Sequence, residues 1–351
     1  MTSYESILNT ITTTQSAHAA TERDIRWLTD AGVVGVARDH EGRLEVFLAG
    51  RELHPTISAV REAIEFHTWH RSAGEPLKAN RLRLPALSHY DQVVAFICTE
   101  LIRNGVDADL AAAFARTEPI LELSIEQLQM SSDALLGLAG ELLLLDALCR
   151  NGGADRVDEI VASWAGWQRS SRDFSLRSVG VEVKTTRRDN SSHLVQGPHQ
   201  VEPADGEDGG TSETRLVLVS VGLRPAEPGD DSFTIPQLVD RIATRLADAN
   251  HPALVDSFLA RVSEYGSWSG LGYDHHSMAD DPTFAAPYVT KFFRGYEMTD
   301  PAIEVLRRDD IASHHHVDVS SVRFRVDLPL VVSAGNPVQQ PNQVARAILS
   351  A

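Results

Sequence analysis

The stretch that most constrains this chain is Val179-Gly-Val-Glu-Val-Lys-Thr-Thr186, in which Val179, Val181 and Val183 alternate with Gly180, Glu182 and Lys184. A period of two is the signature of a strand. The valines go to one face, so a carboxylate and an ammonium are aimed together at the other, as either a site or a solvent-exposed ion pair. Asp173 lies just upstream, and Arg177-Ser178 is short enough to reverse the chain, so strands from Arg172 and Val179 are expected to form a hairpin. Two carboxylates brought together raise each other's pKa and are costly unless a cation sits between them. Mg²⁺ suits such a pair, since it takes oxygen ligands from one or two carboxylates, waters and substrate phosphates.

The segment ahead of this hairpin, Leu135 to Cys149, is apolar except for Glu141 and Asp146. A lone Glu in such a helix is expensive to bury without a partner. Gly137 and Gly140 would let the helix backbone approach a sheet and carry Glu141 to the cation. Ser131-Ser132-Asp133 reads as the N-cap of this helix and Asn151-Gly152-Gly153 as its end. Glu-x-Lys by itself is most often a solvated strand face. A metal held by Asp173 and Glu182, with Lys184 handling the attacking water or the charge that develops on phosphorus, describes phosphodiester hydrolysis instead.

These residues resemble the PD-(D/E)XK nuclease superfamily, the restriction-endonuclease-like fold, whose pattern is an Asp at the start of one strand, Glu-x-Lys on the next and often a further Glu on a preceding helix. More narrowly, Gly137-Leu-Ala-Gly-Glu-Leu142, Trp164-Ala-Gly166, Asp173-Phe174, Glu182-Val-Lys-Thr-Thr186 and the later His193 and Gln200 are similar to a bacterial PD-(D/E)XK family of mobile defence loci. Its genes lie beside Z1-type ATPases, MutL-like ATPases and phage-abortive-infection proteins. The motif resemblance covers roughly Leu135 to Val201. It implies an α/β core with a mixed β-sheet flanked by helices, DNA as substrate, Mg²⁺ (or Mn²⁺ in its place) on Asp173, Glu182 and Glu141, and an ATPase partner. It also implies catalytic roles for Asp173, Glu182, Lys184 and Glu141, with His193, Gln200, Arg187 and Arg188 facing the substrate phosphates. The alternative to an Mg²⁺-dependent endonuclease of anti-phage defence is an accessory subunit that keeps the fold and binds DNA or protein without turnover.

Net charge is −17, from 49 acidic and 32 basic residues, which is the wrong sign for clinging to nucleic acid non-specifically. The region Trp164 to Gln200 is locally reversed, with Arg169, Arg172, Arg177, Lys184, Arg187 and Arg188 against Asp173, Glu182 and Asp189. An acidic body around a basic site would bind DNA weakly alone and depend on a partner for delivery. No Gly-x-x-x-x-Gly-Lys-Ser/Thr loop is present, so any ATP consumed belongs to that partner. Two cysteines, Cys98 and Cys149, in apolar helical surroundings read as buried residues of a reducing compartment, and no signal peptide or membrane-length run is seen, so the cytoplasm is expected. His67 with His70, at helical spacing, reads as a solvated pair, and His275-His276 and His314-His315-His316 lack the Cys or correctly spaced Glu that would complete a zinc set.

Residues 1–130 read as an α+β region for recognition or partner docking, 131–225 as the nuclease core and 226–351 as C-terminal additions. The first region should hold a hairpin (Gly32–Ala37, Leu44–Leu48), helices over Ser58–Arg71 and Tyr90–Asn104, and a strand over Leu82–Leu87. In the core a helix is expected over Val157–Trp164, Arg187–Ser192 as a polar excursion, His193 and Gln200 in the stretch after it, Val201–Thr214 as a mobile linker and Arg215–Leu223 as an apolar central strand. Helices at Pro236–Ala249 and Ala253–Tyr265 and strands at Tyr288–Tyr296 and Val319–Leu330 follow.

Overall fold

A computed structural model describes residues 3–350 apart from 41, 71–73, 84–88, 169, 206–211, 230, 268–270 and 282. The chain divides into two compact units, Met1–Met130 and Ser131–Ala351. In the first, α1 (Tyr4–Thr12) precedes β1 (Arg26–Trp27), β2 (Val34–Arg38), β3 (Leu44–Ala49), α2 (Ser58–Ala63), β4 (Ile64–Trp69), β5 (Leu77–Arg83) and α3 (His89–Arg103). The strands form one antiparallel sheet in the order β1-β2-β3-β5-β4. The β2–β3 hairpin and α3 stand where the sequence pattern sets them. The helix expected over Ser58–Arg71 ends at Ala63, because from Ile64 onward the backbone pairs with β5 from Ile64↔Leu82 to Trp69↔Leu77. The strand expected over Leu82–Leu87 begins earlier, at Leu77, and residues 84–87 of that expectation lie outside the described residues.

Helix α4 (Leu110–Gly152) runs through the boundary between the units. It does not start at Ser131-Ser132-Asp133. Its N-terminal bond comes from Asp109, whose Oδ1 accepts from Ala112 N at 3.0 Å. Cap-type residues are tolerated inside a helix when neither end needs them, and Gly153, at φ 79°, closes α4 as expected.

In the second unit α5 (Val157–Ser163), β6 (Phe174–Leu176), β7 (Val179–Thr186), β8 (Ser191–Val195) and β9 (Arg215–Pro225) are followed by α6 (Ile235–Asp248), α7 (Ala253–Glu264), α8 (His275–Met278), β10 (Tyr288–Glu297), α9 (Arg308–Ala312), β11 (Phe324–Leu328), β12 (Val338–Gln339) and α10 (Pro341–Leu349). The main sheet has the order β12-β10-β9-β7-β6, with β7 and β9 parallel and the other pairs antiparallel. This is the mixed sheet expected. From Leu216 to Leu223 β9 is buried, both its faces covered, and apolar apart from Ser220 and Gly222.

Three local expectations differ. His193 lies in a strand, β8, which pairs with β11 and packs Val195 with Leu216, Leu218, Tyr296 and Val326. Val319–Leu330 supplies only the five-residue β11, preceded by a 3-10 turn at Val319–Ser321. The Val201–Thr214 linker is pinned at both ends, by the buried Val201 and by the Glu213–Arg172 ion pair at 2.7 Å, while its residues 206–211 lie outside the described residues. Among the described residues no helix is long and apolar enough to cross a membrane. Cys98 and Cys149 are free and buried, and burial pushes both thiols up to about 12.

Helix α4 meets β7 at Gly140, where a Cβ would lie 2.0 Å from Thr185 Oγ1. Only glycine permits this approach. Gly140→Val should therefore cost about 1–3 kcal/mol, as overpacked cores do, read from chemical denaturation. An unchanged midpoint would show that helix and strand are not pressed together there.

Candidate active site

Asp173 sits immediately before β6 and is fastened to β7 on both sides of Glu182. Its backbone N–H donates to Val181 O at 3.1 Å, and its Oδ2 accepts from Val183 N at 2.7 Å. The β6–β7 hairpin turns through Arg177, at φ 55°. Glu182 is 4% exposed, so it is not on a solvated face. Its Oε1 lies 2.8 Å from Lys184 Nζ, which also donates to Gln200 Oε1 at 3.0 Å. Asp173 Oδ1 and Glu182 Oε2 accept no hydrogen bond from a described residue.

Glu141 is also 4% exposed. Trp164 Nε1 donates to its Oε2 and Tyr265 OH to its Oε1, each at 2.7 Å. The two rings stack at 6.2 Å with 17° between planes. Gly166 stands so close that a Cβ there would meet Glu141 Oε2 at 1.9 Å, and one at Gly137 would meet Tyr265 OH at 2.6 Å. Glycine at both places makes room for the carboxylate and the phenol.

The electrostatics follow from burial. Desolvation, and then the charge of Glu182, raise Glu141 to about 7 against the pull of its two hydrogen bonds. Desolvation and the charges of Glu141 and Glu182 hold Asp173 well above the usual carboxylate range, while the Val183 N–H and Lys184 act the other way. Each carboxylate thus feels the others, and one ammonium faces three potential negative charges. Among the described residues no three His, Cys, Asp or Glu side chains converge as a metal-ligand set. With both oxygens engaged, Glu141 acts on the Asp173–Glu182 pair through its charge.

The other expected site residues divide. Gln200 joins the site, its Oε1 accepting from Lys184 and from Gln196 N at 2.9 Å, which leaves its amide NH₂ without a partner among the described residues. His193 is 4% exposed and bonded through Nε2 to Ser220 Oγ at 2.7 Å, and desolvation lowers it to about 4, so it is a neutral interior group. Arg187 and Arg188 are exposed on the turn after β7, Arg187 donating to Ser132 Oγ at 3.0 Å. Arg169 lies outside the described residues.

Sequence reasoning missed Tyr265 and Arg172. Tyr265 reaches Glu141 from 124 positions away, and no local pattern marks it. Arg172, 3% exposed, donates to Glu213, Glu202 O and His199 O, fixing the chain beside Asp173. An Arg adjoining the motif Asp was its only signal.

A mixed sheet with Glu-x-Lys on one strand, an Asp heading the antiparallel neighbour and a Glu on the helix packed against it defines a PD-(D/E)XK, restriction-endonuclease-like core. A family model described as "Putative PD-(D/E)XK family member, (DUF4420)" matches residues 10–292, and the chain belongs to that family. No curated protein and no solved structure matches it.

A carboxyl raised in the folded state stabilises below its unfolded pKa, and that contribution is lost as pH rises through the folded value. For Glu141 the window runs from 4.5 to about 7. His193, lowered from 6.5 to about 4, works in the opposite direction, losing stability as pH falls through that range. The comparison with Glu141→Gln cancels His193 and reads Glu141 together with its effect on Asp173: relative to this variant, wild type should lose on the order of 3 kcal/mol between pH 4.5 and 7, at 1.36 kcal/mol per pKa unit. Parallel stability curves would mean that Glu141 does not titrate in this range.

Proposed function

We propose that the protein is an Mg²⁺-dependent endodeoxyribonuclease acting in bacterial defence against foreign DNA. The observation that carries this reading is the pair of half-buried Asp173 and buried Glu182, each with one oxygen free of protein donors and set within the field of the other. Two adjacent carboxylates with open oxygens suit a hard divalent cation that keeps most of its waters. Asp173 and Glu182 would hold Mg²⁺ (or Mn²⁺), with Glu141 behind them adding negative charge. The ion, when bound, supplies Lewis-acid stabilisation of the phosphate and a more acidic water.

The chain's own groups do the remainder. Lys184, released from Glu182 or shared with it, places a positive charge and a proton beside the scissile phosphate. Gln200 holds the ammonium in place through Oε1 and turns its NH₂ outward as a donor. A water oxygen bonds to phosphorus as the ester P–O bond breaks, and the leaving oxygen takes a proton. Arg187 and Arg188 stand on the exposed turn after β7 as contacts to the DNA backbone. The unit Met1–Met130 serves recognition or docks an ATPase encoded nearby, of Z1 or MutL-like type, which offsets the weak DNA affinity expected of a chain with net charge −17.

A second reading, an accessory subunit without turnover, is favoured by Lys184 being held by both Glu182 and Gln200. Plasmid incubated with Mg²⁺ or Mn²⁺, with and without the neighbouring ATPase and ATP, separates the two. Lys184→Ala should lower cleavage by about 10²-fold or more while leaving metal binding in place. Equal cleavage by the variant would remove Lys184 from the mechanism, and no cleavage under any condition would favour the accessory subunit.

Metal should also stabilise the fold, by about 2.7 kcal/mol at a hundred times its dissociation constant, and Asp173→Ala should abolish the gain. A melting temperature that does not move across millimolar Mg²⁺ would count against the site.

A further inference from the structure

The second unit carries a groove of about 430 Å³ at the free edge of β10, lined from Thr290 to Arg294 and from Gln339 to Pro341. None of its lining residues is acidic, in a chain whose net charge is −17. Beyond the Arg294↔Gln339 and Gly295↔Val338 pairs with β12, the edge of β10 runs on as one wall of this groove. The lining mixes cationic, aromatic and amide side chains, which is the composition that holds a nucleotide.

Its central group is Arg294. The guanidinium lies 4.2 Å over the Phe292 ring, and Nη1 donates to Ser191 Oγ at 3.0 Å. Phe292 in turn lies against Gly222 of β9, where a Cβ would be 2.3 Å from the ring. Glycine, phenyl and guanidinium are thus layered, and the outer face and remaining N–H groups of a flat, pre-oriented Arg are left for a base to stack on or a phosphate to grip. Gln339 and Gln340 are exposed beside it. Lys291 contributes less positive field than its charge suggests, because its Nζ is bonded to Asp189 Oδ1 at 2.6 Å and to Arg187 O at 2.7 Å. That contact ties the groove to the turn bearing Arg187 and Arg188.

The register relates the groove to the candidate active site. Lys184 pairs with Ser220, Ser220 with Arg294 and Arg294 with Gln339, so the four share one row and one face across β7, β9, β10 and β12. At the usual spacing of about 4.8 Å per strand, Arg294 stands roughly 10 Å from Lys184. Ser220, between them, is buried beneath Ser191 and His193 of β8, so a nucleic-acid strand joining the two passes around β8 rather than along the row.

We infer that this groove is a subsite for a nucleotide of the single strand leading away from the scissile phosphate, with Arg294, stacked on Phe292, as its principal contact. The inference deepens the nuclease reading and rests on it for the direction of the strand, although the binding can be tested without chemistry. The probe is a fluorescein-labelled single-stranded oligodeoxynucleotide, titrated in EDTA and followed by anisotropy at several salt concentrations. Arg294→Ala should weaken binding by about tenfold and lower the salt slope by about one. Gln339→Glu, an exposed change that puts a carboxylate beside Arg294 without disturbing the layered stack, should weaken it in the same direction and guards against a misfolded Arg294 variant.

Wild-type affinity and slope in both variants would overturn the subsite, as would a wild-type chain that does not bind the oligonucleotide at low salt. Plasmid cleavage with Mn²⁺ is measured in parallel. Cleavage by wild type with no effect of either variant on binding sinks the groove and leaves the nuclease standing. Binding that depends on Arg294, with no cleavage by wild type, sinks the nuclease and leaves the groove.

Discussion

The second unit is organised around a charge imbalance in its interior. Buried Glu141 and Glu182 and half-buried Asp173 lie within one another's fields, and Lys184 is the ammonium among them. An arrangement of this kind is costly in a low-dielectric interior, and much of the surrounding structure makes it tolerable. Trp164 and Tyr265 each donate to Glu141, the Val183 N–H donates to Asp173, and Gly140 and Gly166 let helix, sheet and carboxylate approach closely. Arg172 holds the neighbouring chain through Glu213. A fold seeking only stability would place leucine at these positions. Carboxylates kept in such surroundings are the physical support for the cation site proposed above.

Much of this was legible in the sequence because it is local. The alternation of Val179, Val181 and Val183 fixes a strand and sets Glu182 and Lys184 on one face, and the short turn at Arg177-Ser178 brings Asp173 back beside them. The apolar run with a single Glu identified the helix that packs on that strand, and glycine at 140 marked the point of approach. What stayed hidden depends on distant partners. Nothing near Tyr265 says that it will reach Glu141, and nothing near His193 says that Ser220 will bury it. The strand β8 read as polar because Ser191, Ser192 and His193 find their partners on β9, β10 and β11. Ile64–Trp69 read as helix because the apolar positions fit either period, and pairing with β5 decided the outcome.

The surface charge and the buried site make opposite demands. A chain with net charge −17 repels a polyanion over most of its surface, yet the exposed turn at Arg187 and Arg188, the nearby Arg294 and the Lys184 row concentrate basic groups on one part of the second unit. Affinity confined to so small a region rests on few phosphate contacts and is weak, with a salt slope set by their number.

The central claim is that Asp173 and Glu182 form a divalent-cation site, and anomalous diffraction from crystals soaked in MnCl₂ tests it without relying on activity. The account predicts a Mn²⁺ peak between the Asp173 and Glu182 carboxylates, with Glu141 still bonded to Trp164 and Tyr265. A map with no anomalous density there at saturating Mn²⁺, and Lys184 still closed on Glu182, would show that the lysine alone balances the buried charge and would contradict the account.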